Sequence, residues 1–229
     1  MMPLAVGTWQ FPPDRLFLPD KELHLWRFRL DLSEDSIEAL RHALSEDEKR
    51  RADRLLLANK KKQFIVARCR LREILASYMD LSPEKLQFEY GPQGKPKLLL
   101  NDNIIRFNLA HSGCLALLGV IKSEEVGVDL EKIDRKLAFS RLAERFFTED
   151  ERFALAQASE VRKRRVFYRL WTTKESRLKE RGSGFSSPNP SQPLPTFTRL
   201  FPLPQNYLGA ISCSQWIDSI KKYHLRDTR

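Results

Sequence analysis

The stretch Gly127-Val128-Asp129-Leu130-Glu131 alternates apolar and polar residues, and the rest of the chain is best interpreted from it outward. Such alternation is typical of a half-buried strand, so the side chains of Asp129 and Glu131 should project from the same face. Paired carboxylates are oxygen ligands of the kind that Mg²⁺ prefers. The stretch therefore predicts a strand that carries two metal-binding acids.

A second stretch, Trp171-Thr172-Thr173-Lys174-Glu175-Ser176-Arg177-Leu178-Lys179, lies in a segment with helical spacing of its apolar residues. Lys179 follows Glu175 by four positions, which puts both on one side of the helix. Glu175 adds a third carboxylate to the strand pair, and Lys174 and Lys179 supply point charges for an anion or a leaving oxygen. Together these groups suit a divalent cation bound beside a phosphate. A surface ion pair between Glu175 and Lys179 would explain the helix but not the strand acids.

Four short segments occur in a recognisable order along the chain. Each segment alone is weak evidence for a protein family, but the four in this order are specific evidence. They are GPQGKPKL (91–98), FNLAHSG (107–113), GVDLE (127–131) and WTTKESRLK (171–179). In this order they resemble the signature segments of the 4'-phosphopantetheinyl transferases, in the larger single-chain class of the Sfp type. The resemblance covers roughly residues 45 to 190.

This resemblance implies an α+β fold of two similar lobes, related by pseudo-two-fold symmetry, with the active site in the cleft between them. Residues 1–124 would form an N-terminal lobe that contacts the phosphates of coenzyme A. Residues 125–229 would form a C-terminal lobe with the metal and catalytic motifs and the docking site of a carrier protein. The implied reaction moves the phosphopantetheine arm of coenzyme A to a serine of an apo acyl or peptidyl carrier protein. It releases adenosine 3',5'-bisphosphate.

The matched motif positions give the expected catalytic groups. Asp129, Glu131 and Glu175 match the metal-binding acids, with Mg²⁺ expected and Mn²⁺ possible. Glu175 is also the candidate general base, acting directly or through a water held by the metal. Lys179 matches the catalytic lysine, which would neutralise or protonate the leaving oxygen.

Six basic residues are candidates for contacts with coenzyme A. His111 matches the histidine of the family's FNxSHS segment, although Ala110 stands before it where serine is common. Lys95 lies in the turn that contacts the nucleotide, and Arg68 resembles an arginine near the 3'-phosphate. The weaker candidates are Lys49, Arg54 and Lys174. Taken alone, each basic stretch is typical of a solvated helix face.

Composition limits the class of protein. The chain has 229 residues, 41% of them hydrophobic, and a net charge of +10. This composition is typical of a globular protein that needs an anionic partner, so we expect an acidic carrier protein. The N-terminus lacks the features of a signal peptide, and no apolar run approaches the ~20 residues of a membrane span. A cytoplasmic monomer with three reduced cysteines is the expectation.

Two alternative functions remain open at this point. The high charge and the run Arg162-Lys163-Arg164-Arg165 would also suit a nucleic-acid-binding protein, although no zinc-finger or RNP motif is present. An inactive relative that only binds carrier proteins is the second, supported by Ala110 and a short C-terminal region. The apolar loop containing Phe185, Pro188 and Leu194 is a candidate docking site for the carrier, or an ordinary connector.

Local patterns also predict the main elements. We expect helices over 33–45, from Glu46 to about Leu57, over 63–79, and over 160–181, the last ended by the glycines after Arg181. Residues 1–20 should be irregular, and 111–113 should form a turn. Residues 122–125 should turn the chain so that the Asp129 strand forms a hairpin with the strand before it.

Overall fold

The computed structural model describes residues 5–99, 104–182 and 197–225, and the predicted docking loop with Phe185, Pro188 and Leu194 lies outside them. The described residues form ten strands and six helices, a mixed α+β fold as expected. The strands are β1 (Ala5–Gln10), β2 (Glu22–Arg29), β3 (Phe88–Tyr90), β4 (Pro96–Leu98), β5 (Ile105–Ser112), β6 (Leu115–Lys122), β7 (Val126–Lys132), β8 (Phe197–Leu203), β9 (Tyr207–Cys213) and β10 (Ser219–His224). The helices are α1 (Glu34–Leu40), α2 (Glu46–Asp53), α3 (Ala58–Ser77), α4 (Ser140–Phe146), α5 (Glu149–Ala156) and α6 (Glu160–Arg181).

Two sheets carry most of the strands. The larger has the order β1-β10-β2-β6-β5, with β1, β10 and β2 parallel and the β2-β6-β5 meander antiparallel. The smaller has the antiparallel order β7-β9-β8, and β3 pairs with β4 in a separate ribbon. Strand β10 follows the proposed lobe boundary at residue 124 yet lies in the same sheet as β2. The division into two pseudo-symmetric lobes therefore remains a prediction.

Capping residues explain where several helices begin and end. The Ser33 hydroxyl accepts a hydrogen bond from the backbone N–H of Ser36 at the start of α1. A capping box begins α5, where the backbone N–H of Thr148 donates to Glu151 and the Thr148 hydroxyl accepts from the Glu151 N–H. Gly182 ends α6 in the left-handed conformation, with φ of 66°, as the sequence predicts.

Three local predictions are wrong for reasons that lie outside the local sequence. Residues 5–10 form a strand because β10 pairs with them, a contact across almost the whole chain. His111 and Ser112 continue β5 instead of turning, because they pair with Ala116 and Leu115. Strand β7 pairs with β9 and not with β6, so no hairpin forms there.

A shared core joins the two sheets and fixes the position of β7. The apolar face of β7 packs with Leu117 and Ile121 of β6 in one buried cluster. Asn108 of β5 ties the strands further, since its side-chain oxygen accepts a 2.8 Å hydrogen bond from the Val128 N–H. A second cluster lies between the larger sheet and helices α1 to α3. This packing leaves the polar face of β7 directed at helix α6.

Candidate active site

Helix α6 lies directly on β7, and a glycine makes the close approach possible. A Cβ added to Gly127 would lie 1.9 Å from the carbonyl oxygen of Ser176 and 2.2 Å from the backbone nitrogen of Glu180. Only a residue without a side chain fits there. The glycine of the GVDLE segment therefore sets the distance at which the acids of β7 meet the side chains of α6.

Asp129 and Lys179 meet across this contact. Lys179 Nζ lies 2.6 Å from Asp129 Oδ1, and the Asp129 side chain is only 4% exposed. The other carboxylate oxygen, Oδ2, is buried and has no hydrogen-bond partner in the described part of the chain. Burial raises the pKa of Asp129, an effect that the Lys179 ammonium opposes. A buried oxygen without a donor is a site where a cation would be stabilised.

Glu131 lies two residues further along the same face. Its two oxygens accept hydrogen bonds from the Ser112 hydroxyl and from Trp171 Nε1, each at 3.2 Å. Burial raises its pKa, and the charge of Asp129 raises it further. Asp129 and Glu131 are thus close enough for their charges to interact, as expected for two side chains on the same face of a strand.

Glu175 completes the group from one turn before Lys179 on α6. Burial raises its pKa to about 7, with further contributions from Asp129 and Glu131, while Lys179 acts in the opposite direction. Lys179 pairs with Asp129 and, among the described residues, forms no ion pair with Glu175. An ion pair between positions i and i+4 of the helix therefore does not account for the presence of Glu175 and Lys179.

The three carboxylates have the chemistry of a magnesium site but do not form a closed cage. Within 5–99, 104–182 and 197–225, no three His, Cys, Asp or Glu side chains are grouped tightly enough to hold a metal by themselves. Mg²⁺ usually keeps several waters and uses one or two carboxylates plus phosphate oxygens. The unpartnered oxygen of Asp129 fits such an open site.

Two adjoining cavities lead to Glu175, the one of these three acids that lines them. The first, about 290 Å³, is lined by Glu175 and Lys179 on one side and by Gln93 and Lys95 on the other. The second, about 400 Å³, lies between helix α3 and strand β5. Residues Gly94, Pro96 and Leu109 line both, so the cavities form one groove from α3 to the acids.

One face of α3 supplies the cationic wall of the larger cavity. Lys60, Gln63, Phe64, Ala67, Arg68 and Leu71 all line it, at the spacing of a single helical face. Arg51, from α2, adds a further cation. The groove therefore presents positive charge along α3, and the Glu175 carboxylate beside Lys95 and Lys179 at its other end.

His111 stands between these two ends. It lines the cavity from β5, and its pKa is lowered by partial desolvation of the ring, then by Lys60 and Lys179, although the residue as a whole stays exposed. Ala110, its neighbour, is 4% exposed and packs in the core between the sheets. A hydroxyl at position 110 would therefore project away from the cavity wall.

Two family descriptions match consecutive parts of the chain. Residues 31–123 match "4'-phosphopantetheinyl transferase, N-terminal", and residues 125–224 match the "4'-phosphopantetheinyl transferase superfamily". The protein is 37% identical over 183 residues to the 4'-phosphopantetheinyl transferase HetI of Nostoc sp., covering 78% of this chain and 76% of that protein. The chain belongs to the 4'-phosphopantetheinyl transferase superfamily.

Two further relatives are similar over shorter stretches. A putative 4'-phosphopantetheinyl transferase of Synechocystis sp. is 40% identical over 144 residues, covering 62% of this chain and 58% of that protein. The 4'-phosphopantetheinyl transferase Sfp of Bacillus subtilis is 31% identical over 119 residues, covering 52% of this chain and 51% of that protein. Membership in the Sfp-like type of transferase, predicted from the four segments, is confirmed.

The basic residue of the transferase's GKP turn has an unexpected set of contacts. Lys95 Nζ donates to Glu125 Oε2 at 2.8 Å, to the Val126 carbonyl at 3.1 Å and to the Glu180 carbonyl at 3.0 Å. The ammonium thus ties the turn to β7 and α6. These contacts position the turn, and the nucleotide contact expected of Lys95 stays a prediction.

Arg68 lines the larger cavity, but its guanidinium also forms an ion pair with a buried acid. Its Nε donates to Glu48 Oε1 at 2.6 Å and its Nη2 donates to the Tyr90 hydroxyl at 3.0 Å. Glu48 also pairs with Arg72 and accepts from the Ser45 N–H, the capping box that begins α2. One carboxylate therefore serves both the helix start and the cavity wall.

Three of the predicted cofactor contacts lie elsewhere. Lys49 pairs with Glu46 on α2, and Arg54 is exposed after the end of that helix. Lys174 donates to the Phe146 carbonyl and pairs with Glu151, so it fastens α6 to α4 and α5. None of the three lines either cavity of the groove.

Sequence analysis missed Lys60 and Arg51 on the cavity wall. The run of lysines from 60 to 62 was placed before the helix, whereas α3 begins at Ala58. With the correct start, Lys60 falls on the same face as Ala67 and Arg68, so helical periodicity could have identified it. Arg51 carries no such signal, because it is the last of three consecutive basic residues, Lys49-Arg50-Arg51, in α2.

Proposed function

We propose that the protein transfers the 4'-phosphopantetheine group of coenzyme A to a serine of an apo acyl or peptidyl carrier protein, as its family membership implies. One observation carries this proposal: the groove joins a cationic wall, suited to the nucleotide phosphates, to Glu175 and Lys179 at its other end, where Lys179 pairs with the buried Asp129. Phosphoryl transfer depends mostly on positioning and electrostatics, so this set of groups is sufficient.

The cationic wall would hold the nucleotide end of coenzyme A. Lys60, Arg51 and Arg68 line the larger cavity, and His111 lies between them and Lys179. Several cations around a 3'-phosphate offset its charge. The pyrophosphate would then extend past His111 toward the carboxylates.

Asp129, Glu131 and Glu175 would hold Mg²⁺, or Mn²⁺, against the pyrophosphate. The unpartnered Asp129 oxygen and the raised pKa values of all three acids support this assignment. Bound there, the metal supplies charge neutralisation to the pyrophosphate oxygens. Lys179, now paired with Asp129, would lie beside the leaving phosphate and stabilise its charge.

Glu175 would take the proton of the carrier serine. Its pKa of about 7 belongs to the metal-free site, and a dication bound beside it would lower that pKa, so the choice between direct and water-mediated proton removal stays a prediction. The serine oxygen forms a bond to the β-phosphorus, and the bond from that phosphorus to the bridging oxygen breaks. Adenosine 3',5'-bisphosphate leaves with the electron pair.

We also propose an acidic carrier, a monomeric enzyme and a cytoplasmic location. The net charge of +10 would speed the encounter with an acidic partner. Among the described residues, no helix is long and apolar enough to cross a membrane.

The nucleic-acid alternative receives less support from the structure. Two cations of the run 162–165 are used within the fold: Lys163 pairs with Glu160, and Arg164 donates to the carbonyls of Asp134 and Leu137. The run is therefore not a free basic face. Tight, salt-sensitive binding to DNA or RNA would revive that alternative.

Mass spectrometry tests the transferase directly. The protein is incubated with coenzyme A, Mg²⁺ and an apo acyl carrier protein, and the carrier should gain the mass of one phosphopantetheine group. EDTA should stop the gain, and Glu175→Gln should nearly abolish it. Full activity in Asp129→Ala, Glu131→Ala and Glu175→Gln would contradict the assigned site. A protein that binds carrier but never modifies it would be the inactive relative.

A further inference from the structure

Two leucines between α2 and α3 are exposed to an unusual degree. Leu56 is 97% exposed and Leu57 is 68% exposed. Arg54 precedes them and is also exposed. We refer to Arg54, Leu56 and Leu57 as the leucine corner.

The fold gives no reason for apolar side chains at the leucine corner. Leu57 occupies the N-cap position of α3 and makes no capping hydrogen bond with its side chain. Serine, threonine, aspartate or asparagine would cap the helix better. Leu56 also buries almost nothing against the rest of the chain, and most of Leu57 is exposed. A residue type that is unfavourable for its local structure, and that gains no packing in return, often has a functional role.

Unpaired cations surround the leucine corner. Neighbouring lysines are neutralised within the fold, since Lys61 pairs with Asp53 and Lys62 with Glu34. In contrast, Arg51, Arg54 and Lys60 form no ion pair with any residue that the structure describes. The leucine corner thus combines two exposed leucines with an arginine that has no ion-pair partner among the described residues, and Arg51 and Lys60 are close to it in the sequence. That arrangement is complementary to a helix with exposed apolar side chains among acidic ones.

The leucine corner is also next in the sequence to residues that line the groove. Leu55, next to Leu56, lines the larger cavity together with Arg51 and Lys60. Helix α3, which begins just after the corner, is tied to the turn after β5 by a 2.9 Å hydrogen bond from Gln63 Nε2 to the Gly113 carbonyl. A partner seated on the corner would therefore border the bound nucleotide.

We propose that the leucine corner is a docking surface for the carrier protein, which it would contact through an acidic helix with exposed apolar residues. This inference rests on the proposed function. It places the docking contact in the N-terminal half of the chain, in addition to or instead of the loop with Phe185. Burial of Leu56 and Leu57 would supply the attraction, and Arg54 would steer the encounter.

Binding without turnover tests the surface itself. The probe is an apo acyl carrier protein with its acceptor serine changed to alanine, measured by calorimetry at low salt. Leu56→Glu should weaken its binding roughly ten-fold or more, since it removes a central apolar contact and adds a charge repelled by the partner. Leu57→Ser should also weaken binding while keeping or raising the melting temperature, because serine caps α3. It therefore separates docking from folding.

Val161→Glu is the matched control. Val161 is 94% exposed and precedes Arg162, so it is also an exposed apolar residue beside cations. This variant should leave carrier binding unchanged. In all three variants, the Kd for coenzyme A should match that of the wild type.

The inference would be overturned by wild-type affinity for the carrier in Leu56→Glu, or by an equal loss of carrier affinity in Val161→Glu. A wild-type protein that binds no carrier would also overturn it. A matching loss of coenzyme A affinity would overturn it too, because the corner would then act through the nucleotide cavity. Failure of the proposed function would give a different result. The wild-type protein would bind the carrier and Leu56→Glu would not, yet the wild-type protein would transfer no phosphopantetheine.

Discussion

Lys179 Nζ lies 2.6 Å from Oδ1 of Asp129, so an ammonium from α6 neutralises the buried acid of β7. The aspartate side chain is almost fully buried, so its charge depends on the nearby ammonium for stabilisation. The lysine side chain is one-third exposed. The catalytic lysine of the proposed reaction is thus also part of the contact that holds the helix on the strand.

Lys179→Ala should therefore reduce both transfer and stability. It leaves the Asp129 carboxylate buried without its cation, which should cost about 1–3 kcal/mol in the free energy of unfolding. Urea denaturation in the absence of metal measures this loss. Lys61→Ala is the control, because its pair with Asp53 is exposed to solvent and should contribute little to stability. Equal small effects in both variants would show that the Asp129 pair contributes little.

Glu175→Gln should change the pH dependence of stability in the metal-free protein. The pKa of Glu175 in the folded state, about 7, lies above its ordinary value of 4.5, so ionisation of this carboxyl destabilises the fold. That cost is absent below the ordinary pKa, grows between the two values and is complete above the higher one. Glutamine removes it.

The melting temperature of Glu175→Gln should therefore exceed that of the wild type at about pH 8 and match it at about pH 4.5, measured in EDTA. The same difference at both pH values would mean that packing, and not ionisation, is responsible. Glu151→Gln offers a comparison on a neighbouring helix, since Glu151 is also a half-buried glutamate paired with a lysine, Lys174.

Lys95→Met should loosen the wall between the two cavities. Methionine keeps the apolar stem but loses the three hydrogen bonds to Glu125, Val126 and Glu180. We expect the free energy of unfolding to fall by about 1–3 kcal/mol. The amide of Gly94, bonded to the Gly91 carbonyl at 2.8 Å, should exchange faster in deuterated water without any ligand.

Affinity for coenzyme A distinguishes the two roles of Lys95. If it positions the turn, Lys95→Met weakens binding without changing the slope of log Kd against log salt. If it contacts phosphate directly, the slope decreases. An unchanged amide exchange rate together with a lower slope would contradict the positioning role.

Lys60→Ala should weaken coenzyme A binding by roughly three- to ten-fold and reduce its salt dependence, because one phosphate-facing charge is lost. The pKa of His111 should rise in this variant, since the Lys60 charge lowers it in the wild type. NMR titration of the ligand-free protein measures that shift. Lys61→Ala serves as the neighbour control, because Lys61 is paired with Asp53 and does not line the cavity. A His111 pKa that stays constant in Lys60→Ala would contradict the arrangement.

The sequence predicted the catalytic end of the groove better than its nucleotide end. Asp129, Glu131, Glu175 and Lys179 lie in two segments whose strand and helix periods are unambiguous, so their faces follow from spacing. Contact between the segments depends on Gly127, whose role became clear only from the approach of α6. The assignment of each metal ligand remains a prediction.

The nucleotide end depends on long-range choices that spacing does not reveal. Lys95 and Lys174 could serve a ligand or the fold, and both donate to carbonyl oxygens of distant elements. Likewise, the partner of β7 could not be read locally, because antiparallel pairing with β9 joins segments separated by more than seventy residues. Tertiary contacts, and not local propensity, decided each of these cases.

Strand β10 has a consequence for biosynthesis. It lies between β1 and β2, and the Ser219 hydroxyl donates to Glu22 across 197 positions of the chain. On the ribosome, β1 lacks its partner strand, and β2 can pair only with β6, until β10 has emerged. We expect the nascent chain to depend on chaperones during this interval, and the larger sheet to be completed only once β10 has been translated.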